Sequence, residues 1–286
     1  MSRDLSIIIV FSLEDKSMLF GCLEAIEKSC LGLSHESILV NNNKESPDFI
    51  MRRFPDMQIV DNGGNHGIGR ARNQGVKKAG GNVLLFIDPD ILVQEETIPR
   101  MYEYLSSHPD IAGLAPRVVS PDGQLHHNFG SLPSLLYPMI ELCNFPMDRK
   151  KKAVQGISPF LGGGGLMIRR VAWERVGEFD ESFFYGFEDT DWSLRALRKR
   201  IKLLYFPKAL VIHFLHQAVE KSGARQIDFY ISEIYYYKKH YGEAAGFLVE
   251  FFIIGFSGLR YIVTFLGPGR SSTRQTVRRL LKRLLF

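Results

Sequence analysis

The first third of the chain alternates apolar runs with amphipathic stretches. Four apolar runs predict strands at residues 5–11, 37–40, 57–60 and 82–87. The first stretch between them predicts a helix over residues 16–29, because its apolar residues recur at helical spacing. Regular alternation of strands and helices is typical of an α/β fold with a mostly parallel sheet and right-handed crossovers.

The rest of the chain is patterned less regularly. Residues 120–152 are rich in proline, asparagine and histidine, which predicts an excursion over the surface. The remaining pattern predicts helices at residues 95–107, 171–176 and 193–199. It predicts strands at residues 111–116, 203–206 and 210–213.

Composition places the chain among ordinary globular proteins. Of its 286 residues 45% are hydrophobic and 23% are charged, which is enough to bury a large core. The three cysteines, Cys22, Cys30 and Cys143, show no CxxC spacing, so we expect reduced thiols in a cytosolic setting and no disulfide framework or zinc site. The apolar run near the N-terminus is expected to be a strand and not a signal peptide.

The positive charge is concentrated at the C-terminus. The chain carries a net charge of +5, and residues 270–286 contain six basic and no acidic residues. The basicity is therefore local, which favours an anionic membrane surface over nucleic acid as the partner.

The same C-terminal region has two apolar segments. Residues 247–267 contain Glu250 and Arg260, so a membrane-spanning helix is possible but not favoured. The second segment predicts an amphipathic helix lying in the plane of the membrane, with one apolar face formed by Val277, Leu280, Leu281, Leu284 and Leu285. The alternative is that these helices pack on the rest of the protein or form a homo-oligomer interface.

The strand at residues 82–87 is followed by Asp88, Pro89 and Asp90. Ligands of α/β sheets gather at the carboxyl ends of the strands, and proline stiffens this turn. Two carboxylates held there suit Mg²⁺ or Mn²⁺ bound together with a diphosphate. The alternative is that Asp-Pro-Asp only forms a turn.

Three more features could carry chemistry. Four glycines at residues 162–165 precede an apolar strand and would let the backbone approach a ligand closely. Glu188, Asp189 and Asp191 follow an aromatic stretch; they could simply cap a helix, but one of them could act as a general base. His213 ends a strand, where it is either a structural histidine or a third metal ligand.

In their order along the chain these features resemble the family 2 glycosyltransferases, and within them the bacterial rhamnosyltransferase branch. The resemblance covers roughly residues 5–240. It rests on Asn41-Asn42, Asn65-x-Gly67, Arg72-Asn73-x-Gly75, Asp88-x-Asp90, the four glycines, Gly177-x-Phe179-Asp180-Glu181, Glu188-Asp189-x-Asp191-Trp192 and His213.

The resemblance implies a GT-A fold, which is a Rossmann-like, mostly parallel sheet flanked by helices. The catalytic domain would span residues 1–240, followed by a C-terminal helical extension over residues 241–286. It also implies a nucleotide-diphosphate sugar donor, a divalent cation (Mg²⁺ or Mn²⁺) and inversion at the anomeric carbon.

The resemblance assigns roles to individual residues. Asp90 would ligate the metal with Asp88 and His213, and Asp189 would be the base. Asn41 departs from the family pattern, because it replaces an acid that commonly helps to hold the nucleotide base. The substrate-binding positions would be Phe11, Ser12, Asn41, Arg72, Asp88, Gly163, Gly164, Glu188 and Trp192.

The sequence therefore predicts an inverting transferase that moves a sugar, with rhamnose as the first choice, to a glycan or a polyprenyl-diphosphate-linked acceptor. It would act in cell-surface glycan synthesis, in the cytoplasm at the inner face of the membrane. The alternatives are a galactofuranosyl-, glucosyl- or other hexosyltransferase, and a non-catalytic scaffold protein that binds sugar nucleotides.

Overall fold

The computed structural model describes residues 4–12, 16–126, 128–135, 154–214, 223–266, 278–280 and 282–284. The chain divides into two compact units. The first contains Met1–Leu132, Lys152–Glu181 and Glu188–Leu215, and the second contains Pro133–Lys151, Ser182–Phe187 and His216–Phe286. Cys143 and most of the excursion predicted after residue 120 lie outside the described residues.

The first unit is built on a ten-stranded mixed sheet. Its strands and those of a small second sheet are β1 (Leu5–Phe11), β2 (His35–Asn41), β3 (Gln58–Asp61), β4 (Val83–Ile87), β5 (Ile91–Val93), β6 (Gly113–Val119), β7 (Leu125–His126), β8 (Phe129–Gly130), β9 (Gly156–Ile157), β10 (Phe160–Leu161), β11 (Leu166–Arg169) and β12 (Leu203–His213). The order is β3-β2-β1-β4-β11-β6-β12-β5, with β7 beside β6 and β9 beside β12, and β8 pairs with β10 separately.

The strands of the first half are parallel, as predicted. β3, β2, β1 and β4 run in one direction, so that Phe11 lies beside Asn41 and Asn41 beside Asp61 at one edge of the sheet. β11 is antiparallel to both of its neighbours, β4 and β6, which makes the whole sheet mixed.

The two strands predicted at residues 203–206 and 210–213 are one continuous strand, β12. The prediction was wrong because Pro207 and Lys208 interrupt the apolar pattern. The register of β12 against β6 shifts between Phe206 and Leu210, so an irregularity absorbs the polar residues without ending the strand.

Eight helices are described: α1 (Lys16–Ser29), α2 (Asp48–Met51), α3 (Ile68–Lys78), α4 (Thr97–Ser107), α5 (Arg170–Val176), α6 (Glu188–Arg198), α7 (Gly223–Tyr241) and α8 (Glu243–Leu266). The prediction for α1 is confirmed. The helix predicted at residues 193–199 begins earlier, at Glu188. The expectation that Glu188, Asp189 and Asp191 lie at a helix start is confirmed, since all three stand in the first turn, where the helix dipole favours carboxylates.

The core lies on both faces of the sheet. Alternate residues of β1 and β4 point to opposite sides, with Ile7 and Leu85 on one face and Ile8 and Phe86 on the other. One face also holds apolar residues of α1 and α4, and the other holds residues of α3, α5 and α6. Each fully buried aliphatic or aromatic side chain contributes about 1.5–3 kcal/mol, so the covered sheet gives the strand ends a stable base.

The second unit contains α7 and α8, which are separated by a single residue, Gly242, in the left-handed conformation. Phe187 packs on Phe229 of α7, with 5.1 Å between ring centroids. No helix in the described ranges is both long and apolar enough to cross a membrane. Val277, Leu281 and Leu285, which the sequence places on one amphipathic face, lie outside the described residues.

Candidate active site

Two strand ends of the first unit bring Asp90 and His213 together. Asp90 follows β4, and His213 is the last residue of β12, where it pairs with Ile91 of β5. The backbone N–H of Phe214 donates to the carbonyl of Asp90 at 3.1 Å. The Nε2 atom of His213 consequently lies 3.1 Å from Oδ1 of Asp90.

The surroundings of His213 favour its charged form. Burial alone would lower the pKa of this imidazole, but the hydrogen bond that it donates to Asp90 and the charges of Asp90 and Asp88 raise it overall. The two carboxylates therefore favour a cation at this position, either a proton on His213 or a metal ion.

The donor set fits a hard divalent cation that shares its coordination with a diphosphate. Within the described part of the chain no three His, Cys, Asp or Glu side chains form a metal cluster. Asp90 and His213 supply two ligands, and Mg²⁺ characteristically takes one or two carboxylates and fills the rest of its shell with water and substrate phosphates. Asp88 stands beside the pair, with one oxygen already engaged by Arg72.

Arg72 of α3 is the centre of the carboxylate cluster. Its side chain is 4% exposed, and Nη2 lies 2.9 Å from Oδ1 of Asp88 while Nη1 lies 2.9 Å from Oε1 of Glu188. The rings of Phe86 and Phe179 lie 5.9 and 5.6 Å from the guanidinium carbon. Burial would lower the pKa of Arg72, but Asp88, Glu188 and Asp189 raise it.

The structure thus brings Arg72 to the carboxylates of the site. The fork of the guanidinium connects the turn after β4 to the first turn of α6, as only a planar donor with two separated nitrogens can do. The sequence indicates a position that faces the nucleotide, and the structure adds this bridging contact.

Glu188 and Asp189 open α6. Oδ2 of Asp189 accepts a hydrogen bond from the backbone N–H of Gly163 at 2.7 Å, and Oδ1 accepts one from the N–H of Thr190 at 2.7 Å. Burial raises the pKa of Asp189. The two hydrogen bonds fix the carboxylate in one orientation and lower its pKa, but burial has the larger effect, so Asp189 is a stronger base than an exposed aspartate.

Glu188 differs from its neighbour. Burial and the charge of Asp189 raise the pKa of Glu188 to about 8, against the opposing effect of Arg72. Its Oε2 atom is buried and has no hydrogen-bond partner among the described residues. Burial therefore makes Glu188 easier to protonate than an exposed glutamate.

The glycine run lies directly over these side chains. A Cβ atom on Gly163 would lie 3.1 Å from Nη2 of Arg72, and one on Gly162 would lie 3.4 Å from Oδ2 of Asp189. Gly164 has a φ of +92°, and a Cβ there would lie 3.7 Å from Nδ1 of His213. The glycine backbone therefore lies close to the site's own side chains, and its approach to a ligand stays a prediction.

A link that sequence reasoning missed joins the motifs of the two halves. Asn73 donates to the carbonyl of Phe179 at 2.9 Å, and its Oδ1 accepts from the N–H of Phe179 at 3.0 Å. The same side chain donates to Glu181 at 3.1 Å. Asn73 therefore anchors the segment around Phe179 to α3. The sequence offered one indication of this contact, because Asn73 directly follows Arg72 in the same motif.

The remaining predicted positions lie at the end of β1 and β2. Asn41 donates to Oδ1 of Asp61 at 2.9 Å and to the carbonyl of Glu45 at 2.8 Å, which leaves its own Oδ1 buried without a partner among the described residues. Ser12 follows β1 at the same edge, and the ring of Phe11 is buried against Phe49.

Trp192 is placed in the core. It is fully buried, its ring stacks on Trp173, and its indole N–H donates to the carbonyl of Gly177 at 3.0 Å. The structure therefore brings Trp192 to the base of α6 and not to the cluster around Arg72.

A mixed α/β sheet with a carboxylate cluster and a histidine at its edge defines a nucleotide-sugar transferase of the GT-A fold. The chain belongs to glycosyltransferase family 2. The sequence profile described as "Glycosyl transferase family 2" matches residues 6–177.

Curated relatives are glycosyltransferases at low identity. The chain is 27% identical over 220 residues to a low-salt glycan biosynthesis hexosyltransferase of Haloferax volcanii, covering 71% of this chain and 64% of that protein. It is 25% identical over 202 residues to an N-acetylglucosaminyl-diphospho-decaprenol L-rhamnosyltransferase of Mycobacterium tuberculosis. That match covers 62% of this chain and 66% of the relative. The matched region thus spans just under two thirds of each of these relatives.

Solved structures show the same fold. A mannosyltransferase from Pyrobaculum calidifontis, in complex with GDP-Man and Mn²⁺, matches with a TM-score of 0.59 at 13% identity and covers 99% of this chain and 87% of its own. GalNAc-T7 with UDP, GalNAc and Mn²⁺ matches with a TM-score of 0.57 at 21% identity. That match covers 73% of this chain and 43% of GalNAc-T7. The predicted fold class and family are confirmed.

Proposed function

We propose that the protein is an inverting glycosyltransferase that moves a sugar, with rhamnose as the first choice, from a nucleotide-diphosphate donor to a glycan or a lipid-linked acceptor. The observation that carries this proposal is the fixed carboxylate of Asp189, which shares one cluster with Arg72 and Asp88. An oriented base beside a cation-binding pair is what a single in-line displacement requires.

In this mechanism Asp189 removes the proton of the acceptor hydroxyl as that oxygen attacks the anomeric carbon. The bond to the nucleoside diphosphate breaks on the opposite side, which inverts the centre. Gly163 and Thr190 hold the carboxylate in place, and Arg72 offsets the negative charge of Glu188 and Asp88 beside it. A divalent cation held by Asp90 and His213, with Asp88 beside them, would stabilise the negative charge of the departing diphosphate.

Rhamnose is proposed because several relatives carry that activity in their names. Besides the mycobacterial protein, a dTDP-rhamnosyl transferase of Shigella flexneri is 23% identical over 219 residues. Because the relative from Haloferax volcanii is named only as a hexosyltransferase, other hexoses stay alternatives for the donor sugar. Asn41, with its buried amide, is the position at which this chain departs from the family pattern for the nucleotide base.

A lipid-linked acceptor is proposed from the name of the mycobacterial relative, which contains a diphospho-decaprenol. An acceptor of that chemistry stays at a membrane surface. The proposal therefore includes cell-surface glycan synthesis and a peripheral position of the protein at the inner face of the cytoplasmic membrane.

The test is a donor panel with the full chain. dTDP-rhamnose, UDP-glucose, UDP-galactofuranose and GDP-mannose are incubated with Mg²⁺ or Mn²⁺, and donor hydrolysis and transfer to a polyprenyl-diphosphate sugar are followed. We expect turnover of one donor, a product of inverted configuration by NMR, and loss of turnover in Asp189→Asn. Donor binding without hydrolysis or transfer under any condition would instead support the scaffold protein.

A further inference from the structure

Helix α8 is apolar on two opposite faces. One face packs inward through Gly246, Val249, Ile253 and Ser257, of which the last three are at most 5% exposed. The opposite face is exposed and consists of Ala244, Phe247, Leu248, Phe251 and Gly255, and we refer to it as the α8 outer face.

The inner face already has its partner within the second unit. A Cβ atom on Gly246 would lie only 1.9 Å from Cγ of Lys238 in α7, so the two helices touch closely there. The packing of α8 on the protein is therefore satisfied by this face and does not account for the other one.

The α8 outer face carries large apolar side chains. Phe247 is 61% exposed, Leu248 47% and Phe251 71%. A helix that is apolar all round is normally covered on all sides, and contiguous exposed aromatic side chains mark an interaction surface. The outer face is therefore a candidate docking surface.

The second unit is basic towards the end of the chain. Arg278, Arg279 and Lys282 are exposed, and residues 270–286 contain six basic and no acidic residues. Beside Phe247, Nζ of Lys238 lies 4.9 Å from the ring centroid and 3.7 Å from Glu250, so this ion pair adds no net charge to the α8 outer face.

The described end of the chain corrects part of the sequence expectation. Leu280, expected to lie on a membrane-facing side of the last helix, is only 3% exposed, and Arg283 is paired with Asp228 of α7 at 2.8 Å. This leucine packs on protein, which leaves the outer face of α8 as an exposed apolar surface in the same basic unit.

We propose that the α8 outer face binds the surface of an anionic lipid bilayer, with the helix lying in the membrane plane. The two phenylalanines and Leu248 would enter the boundary between headgroups and acyl chains, while exposed basic side chains of the same unit contact lipid phosphates. The basic C-terminal region favours an anionic surface over a second copy of this chain, which would be equally basic there.

Vesicle co-sedimentation of the full chain tests this inference independently of enzyme activity. Vesicles of phosphatidylcholine with one third phosphatidylglycerol are compared with pure phosphatidylcholine, at low and high salt. The variants are Phe247→Ser/Phe251→Ser and Arg278→Gln/Arg279→Gln. The matched control is Leu31→Ser, which removes an apolar side chain that is 82% exposed in the first unit.

We expect the wild type and Leu31→Ser to bind the anionic vesicles equally. The double serine variant should lose about tenfold in partitioning, and the glutamine variant should lose binding mainly at low salt. Wild-type protein that ignores anionic vesicles, or a serine variant that binds like Leu31→Ser, would overturn the proposal. So would light scattering that shows a dimer for the wild type and a monomer for the serine variant without vesicle binding, because the occupant would then be a second copy.

Discussion

Nη1 of Arg72 lies 2.9 Å from Oε1 of Glu188, although 116 positions separate the two residues in the chain. The contact joins α3, in the first half of the fold, to α6, which carries Asp189. Because Arg72 also binds Asp88, one buried guanidinium links the turn after β4 to the first turn of α6. The following experiments test parts of this arrangement.

Replacing Arg72 should cost both stability and turnover. Arg72→Gln leaves buried carboxylates without a counter-charge, and breaking such a pair destabilises a protein by about 3–5 kcal/mol. Chemical denaturation measures this loss. Arg72→Lys keeps the charge but has a single nitrogen, so we expect it to be more stable than the glutamine variant while kcat stays reduced and KM for the donor changes less.

Arg70→Gln is the matched control, because Arg70 lies on the same helix and is half-exposed, with 3.9 Å between it and Glu181. Its loss should change stability by no more than about 0.5 kcal/mol. Equal stability and equal kcat of the Arg72 and Arg70 variants would show that the bridge does not position the site.

Asp189→Asn should leave donor binding nearly intact and lower kcat by about 10² to 10⁴, which is the range for loss of a general base. The amide keeps the shape of the carboxylate but cannot take up the proton. Calorimetric titration with the nucleotide sugar checks binding, and single-turnover kinetics checks the rate. Wild-type turnover in this variant would remove Asp189 from the base role.

Metal binding should depend on Asp90 and His213 more than on Asp88. We expect Mn²⁺ to tighten the binding of a nucleoside diphosphate to the wild type, and Asp90→Ala and His213→Ala to lose most of that gain. Asp88→Asn should lose less, since Arg72 already holds one oxygen of Asp88. Calorimetry with and without Mn²⁺ measures this, and tight nucleotide binding that a chelator leaves unchanged would refute the metal site.

These residues show which parts of the site could be predicted from the sequence and which could not. Asp88, Asp90 and His213 follow or end strongly patterned strands, so their place at the sheet edge was predictable. The Arg72–Glu188 and Asn73–Phe179 contacts were not, because they depend on how α3 and α6 pack, and no local pattern encodes a contact across more than a hundred residues. Trp192 shows the reverse error, because a motif position next to catalytic residues proved to be core.

Glu188 should make the protein less stable as the pH rises. Burial raises the pKa of Glu188 from its ordinary value of 4.5 to about 8, so the folded state binds this proton more tightly than the unfolded state does. Stability is therefore greatest below the unfolded pKa and falls as the pH increases through this window. Glu188→Gln carries no titrating group, and its Tm relative to wild type should increase between about pH 5 and about pH 8.5. Parallel pH profiles of the two proteins would show that Glu188 is ionised throughout.

Gly163 is a position at which a single added methyl group should disturb the arrangement of Arg72, Asp88 and Asp189. Its added Cβ would lie 3.1 Å from Nη2 of Arg72 and 3.5 Å from Oδ2 of Asp88. Arg72 cannot move aside freely, because two ion pairs of 2.9 Å hold it. Overpacking of this kind costs about 1–3 kcal/mol, and the strain falls on the hydrogen bond between Gly163 and Asp189.

We therefore expect Gly163→Ala to lower kcat by about 10- to 100-fold, because a small displacement of a positioned base lowers the rate steeply. Gly64→Ala is the matched control, since a Cβ there would meet no atom within 4 Å. The comparison uses kcat at saturating donor together with Tm, which separates a displaced base from a destabilised fold. If both alanine variants turn over at the wild-type rate, the backbone N–H of Gly163 does not set the orientation of Asp189, and the base is held by Thr190 and α6 alone.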